Sequence, residues 1–290
     1  MGITVLSTIP GYSIMIILIQ CTDRIGLVAA ISGVLAHERL NITSLREHVD
    51  QAENRFFLRL ETALHPDIPK LSAALKDVLP ADASITISTG SKRQIAVMVT
   101  KEYHCLADIL IKNFFNTLDA SVLAVIGNHP NLEDVCRRFG IPFYLVSHEQ
   151  KTKAEFEQQI IEVLDSLPAD YIILAKFMRI LSPGFIARFP KKIINIHHSF
   201  LPAFVGASPY RQAFERGVKL IGATAHFVTD DLDQGPIITQ ATIPVSHSLT
   251  AEDMITAGKE IETSVLGRAM SLVFNERVFV HKNKTVVFDY

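Results

Sequence analysis

Two short segments hold most of the side chains that could do chemistry. The first, Asn195-Ile196-His197-His198-Ser199-Phe200-Leu201-Pro202, leaves an apolar run and enters a loop carrying Gly206 and Pro209. Alternation along a strand sends Asn195 and His197 to one face and His198 to the other, so an amide donor and a titratable imidazole share a surface. Such a pair could hold an oxyanion. The second segment, Thr224 to Pro236, reads as a strand through His226 and then a turn bearing Asp230, Asp231 and Asp233, closed by Gly235-Pro236. A carboxylate from that turn could meet His197. The same residues also admit plainer readings: a hydrogen-bonded structural histidine at a strand end, and aspartates that are solvated or capping. A metal site built from His197, His226 and Asp233 has suitable ligand types, although the spacing matches no known signature.

Absent motifs narrow the chemistry. None of the 14 glycines forms a G-x-G, and there is no G-x-x-x-x-G-K-[ST], so dinucleotide and nucleotide-triphosphate sites lose their usual loops. Zinc-peptidase H-E-x-x-H and esterase G-x-S-x-G sequences are also missing. The three cysteines, Cys21, Cys105 and Cys136, form no C-x-x-C pair, which speaks against a disulfide framework and fits a reducing cytoplasm. With 28 basic against 30 acidic residues the net charge is -2, giving no electrostatic footprint for nucleic acid or an anionic membrane. The apolar run Ile14 to Ile19 is far shorter than the ~20 residues of a membrane span, and the first 23 residues contain no Lys or Arg, unlike a signal peptide. A small-molecule ligand is the expectation.

The elements that must position these residues follow from periodicity. At 290 residues the chain is long enough for two domains of roughly 150 residues each, and 48% hydrophobic against 20% charged residues places it among globular chains. Ile14 to Gln20 reads as a strand, and Leu27, Ala30, Ile31, Val34 and Leu35 form the stripe of a helix. Asn41 to His48 and Arg55 to Thr62 read as strands, Ile68, Leu71, Leu75 and Val78 mark a second helix, and Ser84 to Ser88 a last strand. The order βαββαβ predicts a ferredoxin-like α+β domain over residues 1–88, an antiparallel sheet with both helices on one face. Residues 89–93 break the pattern as a linker. From 94 to 290 the apolar runs Ile95 to Val99, Val122 to Ile126, Phe143 to Val146, Tyr171 to Leu174 and Ile193 to Ile196 alternate with helix-length segments, predicting a mostly parallel α/β domain. Ligands of such a sheet sit at the carboxyl ends of its strands, where Asn195 and His197 fall.

At the two polar segments the chain resembles the formyltetrahydrofolate-dependent formyltransferase family, whose members carry an N-I-H-x-S-x-L-P strand end and a later L-D-x-G-P-I turn. The matches are Asn195 to Pro202 and Leu232-Asp233-Gln234-Gly235-Pro236-Ile237. Phe177-Met178-Arg179-Ile180-Leu181-Ser182-Pro183 resembles the segment that lines the family's folate pocket. The resemblance implies catalytic roles for Asn195, His197 and Asp233, and substrate contacts at Met178, Arg179, Ile180, Leu181, His198 and Gly235. It implies no metal and no cofactor, 10-formyltetrahydrofolate being the substrate.

Within that family, glycinamide ribonucleotide formyltransferases carry a glycine- and serine-rich loop after the first strand, which binds phosphate on backbone amides. Here the place reads Thr100-Lys101-Glu102-Tyr103-His104-Cys105-Leu106, bulky and partly acidic, so a phosphorylated acceptor amine is not expected. His104 reads as filling that loop and Cys105 as a packing residue near a helix start. Val205-Gly206-Ala207-Ser208-Pro209-Tyr210-Arg211-Gln212 and an amino-terminal half resembling an ACT domain, with Asp23-Arg24-Ile25-Gly26-Leu27-Val28 at its first strand-helix junction, extend the likeness to formyltetrahydrofolate deformylases over essentially the whole chain. Ile25 stands where those relatives have proline or a polar residue, and Glu47-His48 where they have Gln-His, departures that bear on effector binding. The resemblance implies hydrolysis to formate and tetrahydrofolate, with formate supplied to purine synthesis and one-carbon folate pools balanced. It further implies a cytoplasmic homo-oligomer, dimer or tetramer, with an amino-acid effector at the ACT half. Formyl transfer to an unidentified amine is the competing reading.

Overall fold

The computed structural model describes residues 14–63, 67–202 and 209–289. The Val205 to Ser208 part of the deformylase-like motif lies outside the described residues. Two compact units emerge, one containing the described residues up to Ser91 together with Phe288 and Asp289, the other Lys92–Val287.

The first unit runs β1 (Met15–Thr22), α1 (Leu27–His37), β2 (Ile42–Asp50), β3 (Arg55–Thr62), α2 (Ile68–Val78) and β4 (Ser84–Ser88). Its antiparallel sheet has the order β2-β3-β1-β4. Alternate residues Met15, Ile17 and Ile19 of β1 meet Phe56, Leu58 and Leu60 of β3 under Leu27, Ile31 and Leu35 of α1 and Leu71 and Leu75 of α2, so both helices cover one face. Gly26, at φ 88, makes the left-handed step from which α1 begins, a conformation only glycine adopts without cost.

The second unit comprises β5 (Arg93–Val99), α3 (His104–Phe114), β6 (Ala120–Gly127), α4 (Glu133–Arg138), β7 (Phe143–Leu145), α5 (Lys153–Asp165), β8 (Tyr171–Leu174), α6 (Pro183–Arg188), β9 (Ile193–His197), α7 (Pro209–Glu215), β10 (Leu220–Phe227), β11 (Ile237–Pro244), α8 (Ala251–Phe274), β12 (Val278–His281) and β13 (Lys284–Val287). The strand β5 takes Arg93 from the segment read as linker, and Phe288 and Asp289 fall in with the first unit rather than the second. The main sheet has the order β11-β10-β9-β8-β5-β6-β7. Strands β5 to β9 are parallel, and β10 and β11 extend the sheet antiparallel from β9. Continuous apolar strands follow from burial on both sides: Ile95, Val97 and Val99 face a core shared with α3 and α8, whereas Ala96 and Met98 face one shared with α5 and α6.

Candidate active site

The carboxyl end of β9 brings the sequence's two polar segments together. Antiparallel pairing sets His197 opposite Thr224 and Asn195 opposite His226, so the polar side chains of two neighbouring strands share one face. The chain beyond β9 is pinned at Thr224, whose hydroxyl accepts from the Leu201 amide at 3.1 Å and donates to the Ser199 carbonyl at 2.9 Å. Gln240 of β11 adds a hydrogen bond to the same hydroxyl at 2.9 Å. These bonds fix where β9 ends and where His198 stands.

Asp233 reaches His197 from the turn between β10 and β11. Its backbone is left-handed, at φ 56, which Asp tolerates better than most residues. Two residues on, a side chain at Gly235 would put a Cβ only 1.8 Å from the Phe227 carbonyl oxygen, so the turn can fold against the end of β10 only with glycine there. Gly235 thus sets the path that delivers Asp233. Asp230 and Asp231 are exposed, as solvated turn residues are.

Buried His197 places Nδ1 3.2 Å from Asp233 Oδ2. A carboxylate only accepts, so His197 carries its proton on Nδ1, leaving a lone pair on Nε2 in the neutral ring. That Nε2 is buried and has no partner among the described residues. Burial alone would raise the Asp233 carboxyl, but the His197 N–H directed at it, with the His226 ring close by, holds it well below the usual carboxylate range. Asp233 is therefore a fixed anion at neutral pH.

His226, which sequence reading placed only in a metal set, has a different part here. Its Nδ1 donates to the Phe227 carbonyl at 2.9 Å, so neutral Nε2 is an acceptor, and it lies 3.2 Å from Asn195 Nδ2. His226 turns the Asn195 amide so that its second N–H remains for another partner. With both ring nitrogens engaged and Asp233 Oδ1 at 3.7 Å, His226 is an orienting group rather than a metal ligand. Strand register, which sequence spacing does not set, puts His226 opposite Asn195.

His198 is half-buried, its ring 5.1 Å from that of His197 and 6.3 Å from that of Tyr210. Burial, then the nearby Lys176 and His197, push its pKa down to about 4, so it is neutral at pH 7. The segment after β8 presents Met178, Arg179 and Ile180 to solvent, with Met178 N donating to Thr100 Oγ1 at 2.9 Å. Leu181 departs from its companions: its side chain is buried in the core beside Phe185, leaving backbone groups for any contact. Cys105 is buried, and burial raises its thiol far above the ordinary range, as expected of a packing residue. His104, Cys105 and Glu262 have ligand-type atoms within 4.8 Å of one another, but Lys176 Nζ already lies 3.1 Å from Glu262 Oε2, so an internal cation occupies that cluster.

An imidazole nitrogen with no partner among the described residues, backed by a half-buried carboxylate and next to an oriented amide donor, is equipped to move one proton and stabilise one oxyanion. Comparison with known proteins gives the family. A formyl transferase family model matches residues 93–270 and an ACT domain model residues 15–80. Formyltetrahydrofolate deformylase of Haemophilus influenzae is 49% identical over 272 residues, covering 94% of this chain and 98% of its own. The crystal structure of a formyltetrahydrofolate deformylase from Pseudomonas syringae superposes with a TM-score of 0.92 at 38% identity, covering 97% of this chain and 96% of that one. Glycinamide ribonucleotide transformylase 1 from Symbiobacterium toebii matches with a TM-score of 0.66 at 30% identity, over 70% of this chain and all of its own. The expected α/β and α+β architecture, an ACT unit followed by a formyltransferase-like unit, is thereby established, and the chain belongs to the formyltetrahydrofolate deformylase family.

Proposed function

We propose that this protein hydrolyses 10-formyltetrahydrofolate to formate and tetrahydrofolate at Asn195, His197 and Asp233. The observation that carries the assignment is His197 itself, with Nδ1 on Asp233 and a buried Nε2 that has no partner among the described residues. A water oxygen attacks the formyl carbon while its proton passes to His197 Nε2, and Asp233 stabilises the imidazolium that forms. The free N–H of Asn195 and then the protonated His197 donate to the oxyanion. Collapse of the tetrahedral intermediate breaks the bond to N10, which takes the proton from His197. The step needs no electron acceptor and no metal.

The folate is placed against Met178, Arg179, Ile180 and the Leu181 backbone, with neutral His198 and the Gly235 turn closing the other side. Released formate supplies purine synthesis in the cytoplasm on this reading. The ACT unit supports homo-oligomeric assembly and an amino-acid effector at the strand-helix junction, where Ile25 is fully exposed before Gly26. Formate production from 10-formyltetrahydrofolate in amine-free buffer, before and after exhaustive dialysis against a chelator, tests the function. Equal release by both preparations is expected, and dependence on an added amine or a restored metal would overturn it.

A further inference from the structure

One polar cluster beside the site takes no part in the mechanism above. Glu262 of α8 is only 1% exposed, yet three donors meet it: His104 Nε2 at 2.8 Å, Lys176 Nζ at 3.1 Å and the Tyr210 hydroxyl at 2.7 Å. His104 opens α3 after β5, Lys176 follows β8, and Tyr210 lies in α7 after β9. These three strands are neighbours in the sheet, so one carboxylate ties together the consecutive connections at its carboxyl edge.

The cluster is continuous with the reaction centre, because the Tyr210 ring packs by His198, which packs by His197. It is also filled. A side chain at Gly258 would place a Cβ 2.2 Å from Tyr210 Cζ, so the tyrosine lies directly on the backbone of α8 at a residue without a side chain. Its charges are internally matched: Lys176 is held by Glu262, and Lys259 by Glu102 at 2.8 Å. A wall of this kind offers an incoming amine neither volume nor, for a phosphorylated one, an uncommitted cation from its own lysines. The transformylase relative, named for glycinamide ribonucleotide, builds formyl transfer on the same fold.

We propose that His104, Lys176, Tyr210 and Glu262 form a specificity-determining wall that reserves the formyl carbon for water. The proposal rests on the assignment of the reaction centre to Asn195, His197 and Asp233. If the wall is breached, an amine nitrogen attacks the formyl carbon, the bond to N10 breaks, N10 takes the proton the amine loses, and an N-formyl amine leaves in place of formate. Discrimination then comes from closing out the wrong nucleophile rather than from added affinity for the right one.

The test is nucleophile partitioning by the full-length enzyme in excess hydroxylamine, with formate and N-formylhydroxylamine counted by mass spectrometry against tetrahydrofolate formed. Wild type should give formate alone. Tyr210→Ala and, separately, His104→Ala should divert the formyl group in proportion to the amine, giving N-formylhydroxylamine at about 10-fold or more above the wild-type detection limit, the scale on which a filled pocket discriminates. Tyr210→Phe keeps the ring and should partition as wild type does. A wild-type enzyme that already transfers to the amine, or folded alanine variants that partition as wild type does, would overturn the proposal; two positions are used so that one failing to fold leaves the other to decide. Asp233→Asn added to either variant should slow formation of both products by about 100-fold or more. Hydrolysis within about 10-fold of the wild-type rate in Asp233→Asn, with partitioning still altered by Tyr210→Ala, would sink the reaction-centre assignment and leave the wall standing.

Discussion

Asp233→Asn removes a charge while keeping the shape of the side chain, and the structure sets the size of the effect. The carboxylate lies 3.2 Å from His197 Nδ1, with side-chain exposures of 14% and 6%. At that separation and an effective dielectric near 20, a full imidazolium-carboxylate attraction is about 5 kcal/mol. The amide retains a hydrogen bond and a dipole, so about 3–4 kcal/mol of transition-state stabilisation should be lost, about 100-fold to 1,000-fold in kcat. An amide that turns its NH2 toward Nδ1 also imposes the opposite tautomer, leaving no lone pair on Nε2 for the water's proton. Single-turnover formate release at saturating folate isolates the chemical step, and equilibrium binding of tetrahydrofolate checks that the pocket is intact. A variant that binds folate normally and retains kcat within about 10-fold of wild type would refute the electrostatic reasoning, since that allows only about 1.4 kcal/mol.

Other outcomes follow from the same geometry. Asn195→Ala should lower kcat by about 100-fold to 1,000-fold, the cost of one oxyanion donor, with folate affinity little changed; His226→Ala should show a weaker loss in the same direction, because it frees the Asn195 amide without deleting it. Gly235→Ala collides with the Phe227 carbonyl and should displace Asp233, so activity should fall by more than the shift in Tm accounts for when both are measured on one preparation. Glu262 has its carboxyl held at about 2, against 4.5 ordinarily, burial being outweighed by His104, Lys176 and Tyr210. A depressed carboxyl stabilises the fold above its ordinary value and loses that contribution as pH falls, here between about 4.5 and 2, for about 3 kcal/mol in all. Urea unfolding should therefore show a wild-type advantage over Glu262→Gln at pH 7 that narrows as pH approaches 2, and an advantage that widens on acidification would contradict it.

Much of the architecture was legible because both units obey simple periods. The amphipathic stripe Leu27, Ile31, Leu35 and the alternation in Met15, Ile17, Ile19 stand in the structure as helix and strand over one core. Continuous apolar runs such as Ile95 to Val99 marked strands covered on both faces. The antiparallel pair β10 and β11 was harder to see, since a strand that needs no crossover helix leaves no βα rhythm in the chain. Asn195, His197 and Asp233 could be picked out by type and motif, and the structure brings His197 onto Asp233 and Asn195 beside it. What the sequence could not supply was the company they keep. Only register puts His226 across from Asn195, and only tertiary packing lets Glu262 gather His104, Lys176 and Tyr210 from three separate connections. Leu181 shows the converse limit: a motif position shared with exposed neighbours, its side chain committed to the core.

The central claim is that water is the nucleophile at the His197 face of β9, and oxygen labelling tests it most directly. Purified enzyme turning over 10-formyltetrahydrofolate in oxygen-18 water without amines should release one labelled oxygen per formate, with tetrahydrofolate formed in equal amount and both products slowed by about 100-fold or more in Asp233→Asn. Unlabelled formate, or a folded and folate-binding enzyme that releases none until an amine is supplied, would contradict the account.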